Sequence, residues 1–288
     1  MRFLILGNGQ REGVVEAGQR VADWLMAAGH TLVAVDLFQQ QSLAAVEADL
    51  AIVLGGDGSI LRAARQMGYR QVPVVGINLG TLGFLADLAL EELPDRLACL
   101  ERGEYRVTEH LMYQCEVNQA DGPTLTFLGL NDVVIQNSRP FRMVDLDLLV
   151  ENERGRQPVA RYRGDGLIIS TPVGSTGHNL SAGGPILAQE LDAFVITPIS
   201  PHSLTFRPLV ESADRPFVVV IRQSDQAWLI TDGQERLCLT PRHWLTVRRA
   251  PVRFRLVKVP SHSYYRTLQE KLRWGATPKY RDEPERSA

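Results

Sequence analysis

Apolar positions in the first hundred residues follow two alternating rhythms. Phe3–Leu6, Thr31–Leu37, Leu50–Leu54 and Val72–Ile77 are short runs that predict buried strands. Between the first two, Val14, Ala17, Val21, Trp24, Leu25 and Ala28 recur at helical spacing, and Gly29 is placed to end that helix. Ile60–Met67 predicts a second, shorter helix. Strands apolar on both faces, alternating with helices, predict an α/β unit with a parallel, Rossmann-like sheet covered on both sides.

From about Glu104 the rhythm changes. Glu116–Val117, Thr124–Phe127, Asp132–Ile135, Met143–Val150, Leu167–Ser170, Phe194–Thr197, Phe217–Ile221 and Trp228–Thr231 are short segments, many of them set off by Gly, Asn and Asp; Leu245–Val259 alternates over a longer span. That spacing predicts an all-β domain built as a two-sheet, sandwich-like body. Tyr264–Trp274 is amphipathic again and predicts a helix that returns to the first domain. The expected division is 1–108 for the α/β nucleotide-binding domain and 109–262 for the β-rich domain. The returning helix takes 263–276, and 277–288, polar and charged, forms a frayed tail.

Composition narrows the function. With 288 residues, 44% hydrophobic and 22% charged, the chain has the make-up of a globular protein with an ample core. Against 33 Asp and Glu stand 31 Lys and Arg, so there is no general basic field for nucleic acid. No apolar run is long enough for a membrane span or a secretory leader. Three scattered cysteines give neither a disulfide framework nor a metal motif, and a cytoplasmic setting is expected. His110, His202 and His243 lack metal-ligand spacing to one another.

The chemistry gathers in glycine-rich segments. Gly55-Gly56-Asp57-Gly58-Ser59 lies between a strand and a helix, where bare backbone and a helix N-terminus suit a phosphate. It is not a P-loop, because no Lys follows. A carboxylate in such a cradle repels phosphate, so Asp57 serves some other purpose. It could hold magnesium, bond a ribose hydroxyl, act as a general base, or simply cap the turn. The next strand also runs into a glycine-rich loop, Gly76 to Gly83, where Asn78 can offer an amide to a ligand. The segment Arg163–Pro185 packs six glycines, several hydroxyls, Arg163 and Asp165 around a strand of only Leu167–Ile169. Its polar backbone and hydroxyls suit the sugars and phosphates of a nucleotide. Asn131-Asp132, before an apolar run, is compatible with ordinary turn chemistry.

Taken in order, GGDGS at 55–59, GINLGTLGFL at 76–85, DGLIISTPVGST at 165–176, LSAGGPI at 180–186, TPISPHSLTFRPL at 197–209, DGQ at 232–234 and YRTLQEKLRW at 265–274 closely resemble the NAD kinase family. GGDG alone is shared with diacylglycerol and sphingosine kinases; the later, polar segments set those lipid kinases aside. The resemblance implies ATP-dependent phosphorylation of the adenosine ribose 2′-hydroxyl of NAD to NADP, with Mg2+ or another divalent cation carried by the donor phosphates. It implies Asp57 as general base, with Gly56 and Gly58 against the nucleotide and Arg142 facing it. Asn131 and Asp132 match the family's Asn-Glu pair, and Arg163 and Asp165 fall in the substrate-recognition stretch. Thr176, Gly177, His178, Asn179 and Ser181 match the loop over the dinucleotide, and Gln234 closes the pocket. Gly177 and His178 stand where the family carries Ala-Tyr, which implies less stacking area and weaker dinucleotide binding. The family also implies a homodimer or homotetramer in which a neighbouring β domain completes each site.

Overall fold

A computed structural model of the chain describes residues 1–275 apart from 44, 81–82, 87, 120–121, 138–141, 224–226 and 259–263. The expected tail at 277–288 lies outside the described residues. In the first half, strands β1 (Arg2–Gly7), β2 (Thr31–Asp36), β3 (Leu50–Leu54), β4 (Val74–Asn78) and the short β5 (Leu88–Ala89) are all parallel. Helices α1 (Val14–Ala27), α2 (Asp57–Met67) and α3 (Leu93–Glu101) cover them. The pleat of β1 sorts the two faces: Phe3 and Ile5 pack with α1 and α3, whereas Leu4 and Leu6 pack with α2. This is the doubly covered sheet that the continuous apolar runs predict. Gly29, at φ +78°, follows the end of α1 in the left-handed region, as its position implies.

The second half contains β6 (Arg106–Gln119), β7 (Leu125–Gly129), β8 (Asp132–Asn137), β9 (Val144–Asn152), β10 (Gly155–Gly164) and β11 (Gly166–Ser170). A one-turn helix, α4 (His178–Ser181), precedes β12 (Ala193–Ile199), β13 (Leu209–Ser212), β14 (Phe217–Gln223), β15 (Ala227–Thr231), β16 (Glu235–Leu239) and β17 (His243–Lys258). The last element among the described residues is α5 (Tyr264–Leu272). Six strands form an antiparallel sheet in the order β13-β12-β11-β8-β15-β16. It faces β6, β9, β14 and β17 across a core that includes Tyr113, Cys115, Leu146, Val219 and Val247 from one side and Val133, Ile169, Phe194 and Leu229 from the other. That is a two-sheet sandwich.

The two halves are joined by backbone hydrogen bonding as well as by side chains. β17 pairs antiparallel with β6 and β14, and near its end Leu256 bridges Val74 of β4 in parallel register. One sheet therefore runs β10-β9-β14-β17-β4-β3-β1-β2 through both halves. The register of β17 shifts between Arg249 and Arg253, a stretch that contains Pro251, which has no N–H to give a ladder. The interruption divides the sandwich part of the strand from the part that reaches β4. Among the described residues no helix is long and apolar enough to cross a membrane.

Candidate active site

The loops after β3 and β4 meet at Asp57. α2 begins at this residue, three positions before the helix predicted from its apolar spacing, since Gly58 and Ser59 hide the first turn from that pattern. Asp57 is thus a first-turn acid, favourably placed on the helix dipole. Its carboxylate does not cap the helix and bonds instead to a neighbouring turn. Oδ2 accepts the Phe84 N–H at 2.9 Å, and Oδ1 accepts those of Leu85 at 2.9 Å and Ala86 at 3.2 Å. Three successive amides form a small anion-holding nest. Gly83 makes room for it, because a Cβ there would lie 2.1 Å from Asp57 Oδ1.

Asp57 opens onto a cavity of about 300 Å³ lined by Phe84, Leu85, Asn131, Val173, Thr176, Gly177, Lys271 and Leu272. Asn131 also lines an adjoining cavity of about 180 Å³ with Asp132, Val134, His178, Ile230, Asp232 and Gly233. Glycine-rich segments distant in the sequence are brought together here, and the sandwich sheet supplies β8 between them. A larger cavity, about 400 Å³, shares Phe84 but is lined by Arg106, His110, Lys258, Tyr264 and others, none of them nominated from the sequence.

Asp232 organises the second cavity. It sits in the left-handed region at φ +48° and accepts N–H groups from Leu130 at 3.0 Å and Asn131 at 2.8 Å, and the Tyr113 hydroxyl at 3.1 Å. Burial raises its carboxyl above the usual range, while those N–H bonds and the nearby Arg65 pull it down. Asp132 is buried beside it. Loss of solvent, and then the charge of Asp232, push Asp132 up to about 7.

The remaining nominated residues divide. Gln234 spans the two halves, its Nε2 donating to Gly58 O at 3.4 Å and its Oε1 accepting from Arg65 of α2. Gly56 and Gly58 have open space where a Cβ would stand, leaving their backbone accessible. Asn78 and Asn179 serve the backbone instead. Asn78 closes a turn with both polar atoms on Gly80. Asn179 is fully buried, donating to Ser175 O and Pro185 O at 3.0 Å each and accepting from Thr197 Oγ1 at 2.5 Å. Its hydrogen-bonding capacity is spent inside the protein, so it shapes the 174–185 loop from within rather than facing the cavity. Arg142, Arg163, Asp165 and Ser181 are exposed and line neither cavity. Arg163 stands on the edge strand β10, opposite Asp145.

Lys271, Phe84 and Asp232 had no assigned role from sequence. Asp-Gly at 232–233 is a turn signal, but only the fold reveals that the carboxylate gathers N–H groups a hundred residues away.

The sequence pattern of the ATP-NAD kinase N-terminal domain matches residues 38–105, and that of the ATP-NAD kinase C-terminal domain matches residues 130–259. An NAD kinase of Rhodopirellula baltica is 43% identical over 274 residues, covering 95% of this chain and 86% of that protein. The chain belongs to the NAD kinase family. An NAD kinase of Geobacter sulfurreducens is 43% identical over 231 residues, 80% of each chain. Among solved structures, an Archaeoglobus fulgidus NAD kinase in complex with ATP superposes with a TM-score of 0.76 at 28% identity, over 95% of this chain and 99% of that one. A yeast NADH kinase complexed with NADH shares the fold at a TM-score of 0.86 and 20% identity, over 97% and 89%. The two-domain NAD kinase fold, with its mixed sheet and C-terminal helix, is therefore common to them.

Proposed function

We propose that this NAD kinase transfers the terminal phosphoryl group of ATP to the adenosine ribose 2′-hydroxyl of NAD, with Asp57 as the general base. One observation carries the assignment: a carboxylate held by three successive N–H groups opens onto a cavity shared with Asn131, Thr176 and Gly177. An ionised carboxylate has roughly four acceptor positions, so three amides leave about one for a substrate hydroxyl. A secondary hydroxyl is a poor nucleophile, and a base already oriented lowers the entropic cost of using it.

In this mechanism the 2′-hydroxyl donates to Oδ2 of Asp57. As its proton passes to the carboxylate, the oxygen bonds to the γ-phosphorus, the bond to the bridging oxygen breaks, and ADP leaves with that electron pair. The open backbone of Gly56 and Gly58, at the N-terminus of α2, receives the donor phosphates. Asn131 and Asp132 bond nucleoside groups, His178 covers the dinucleotide, and Gln234 closes the cleft. In this reading the divalent cation enters as part of the substrate, magnesium-bound ATP, neutralising phosphate charge. Residues 1–108 supply the base and phosphate loops, and 109–262 most of the dinucleotide loops. Arg142, Arg163 and Asp165, exposed and lining neither cavity in one copy, act across the interface of a homodimer or homotetramer. We place the enzyme in the cytoplasm.

The test is NADP formation from NAD and magnesium-bound ATP, read with an NADP-specific dehydrogenase. Asp57→Asn is expected to lower kcat by roughly 10²–10⁴, the usual range for a positioned base. A variant within tenfold of the wild type would remove Asp57 from that role. Tight NAD binding with no turnover from any donor would instead describe a binding protein.

A further inference from the structure

The inner face of α5 is formed by Tyr264, Thr267, Leu268, Lys271 and Leu272, spaced as one side of a helix. Thr267 and Leu268 are buried, and Leu272 lines the Asp57 cavity. A lysine occupies the stripe where packing alone would place an apolar residue. Its Nζ lies 3.9 Å from Asp57 Oδ2 and 5.3 Å from the centroid of the Phe84 ring, and its side chain is only 30% exposed. Among the described residues lining this cavity, Lys271 is the only cation. The outward face of α5 carries an ordinary solvent-side pair, Arg266 with Glu270 at 2.7 Å.

We propose that Lys271 is the cation of the phosphoryl-transfer centre. It pairs with Asp57 before reaction and with the transferring phosphoryl group during it. The assignment rests on the NAD kinase reading above and goes beyond it. Oδ2, the atom the ammonium faces, is also the oxygen with room for the 2′-hydroxyl. The attacked phosphorus must approach that hydroxyl, and so comes within reach of Nζ. As the proton moves onto Asp57, the carboxylate loses its charge and its hold on the ammonium. Negative charge meanwhile spreads over the phosphoryl oxygens and the departing ADP. The ammonium thus exchanges a partner that is being neutralised for one that is becoming charged. Its interaction grows toward the transition state, the condition for catalysis rather than simple binding.

The experiment compares Lys271→Met, Lys271→Arg and Lys271→Ala with wild type in the NADP-formation assay. Thermal melting and NAD binding are measured in parallel. Lys271→Met is expected to lower kcat by roughly 10²–10³ with the KM for NAD within about threefold, the split expected for an interaction made in the transition state. Lys271→Arg, which keeps the charge, should recover at least roughly a tenth of wild-type kcat. Ethylammonium, but not tetramethylammonium at equal ionic strength, should raise the rate of Lys271→Ala. A Met variant within threefold of wild-type kcat overturns the proposal. So does a loss that appears equally in NAD affinity and is restored by neither arginine nor ethylammonium. Failure of the wild type itself to make NADP would overturn the underlying reading instead, which keeps the two distinguishable.

Discussion

Asp132 is where one side chain most directly ties chemistry to pH. It stands where the family resemblance implies a glutamate, one methylene longer; it is buried beside Asp232, and its carboxyl is pushed up to about 7. Above that pH it is an anion able to accept the nucleoside hydrogen bonds proposed for it; below, it is protonated and loses part of that capacity. NAD affinity should therefore weaken by about three- to tenfold from pH 8 to pH 6. Asp132→Asn, titrated by isothermal calorimetry, should remove that dependence. The stability linkage runs the other way. The folded carboxyl holds its proton to higher pH than the unfolded one, so its contribution to stability falls as pH rises from about 4 to about 7. Urea unfolding should show Asp132→Asn gaining on the wild type between pH 5 and pH 8. Asn131-Asp132 was visible in the sequence, but compatible with a turn. What gives it significance, Asp232 arriving from a hundred residues away, is tertiary.

At the scale of elements, the glycine-rich loops were legible and their internal division of labour was not. The Gly83–Ala86 turn shows why. The glycines from Gly76 to Gly83 mark a loop past a strand end, yet that Gly83 clears Asp57 depends on how α2 packs against β4. Gly83→Ala puts a methyl group 2.1 Å from Asp57 Oδ1, so either the carboxylate or the turn must move. A displacement near 1 Å at a reacting group costs on the order of 10² in kcat. Steady-state kinetics should show that loss while the circular dichroism spectrum stays unchanged; full activity would mean that the three amides do not position the base. Strand β6 was largely missed for a related reason. Leu111, Tyr113, Cys115 and Val117 face the sandwich core, but Met112 on the opposite face is buried against the α/β half. Two buried faces, broken by His110 and Gln114, leave neither clean alternation nor an uninterrupted apolar run. β10, polar and at the sheet edge, gave no signal at all. Lys271 was hidden too, because a lysine on an amphipathic helix is ordinarily assigned to its wet side.

At the scale of the molecule, the fold separates groups that the proposed mechanism brings together. Asp57 follows β3 at the carboxyl ends of the parallel strands, whereas Arg163 projects from β10, the far edge of the same sheet, with β9, β14, β17 and β4 between their strands. A second copy can remove that separation if its β10 edge reaches the cleft, which makes catalysis a property of the assembly. The arrangement can be tested by mixing two damaged chains. Asp57→Asn subunits lack the proposed base, and Arg163→Ala subunits lack the edge cation. In a hybrid dimer with shared sites, Asp57 from one chain and Arg163 from the other form one undamaged site, while the second site carries both lesions. Random mixing makes about half of all dimers hybrid, so activity should return to about a quarter of wild type after denaturation and refolding of an equimolar mixture. If each chain supplies its own Arg163, no mixture contains an intact site and activity stays at the mean of the two variants. Recovery near a quarter would therefore assign Arg163 to the neighbouring subunit's site and establish that a single copy of the sandwich leaves its own cleft incomplete.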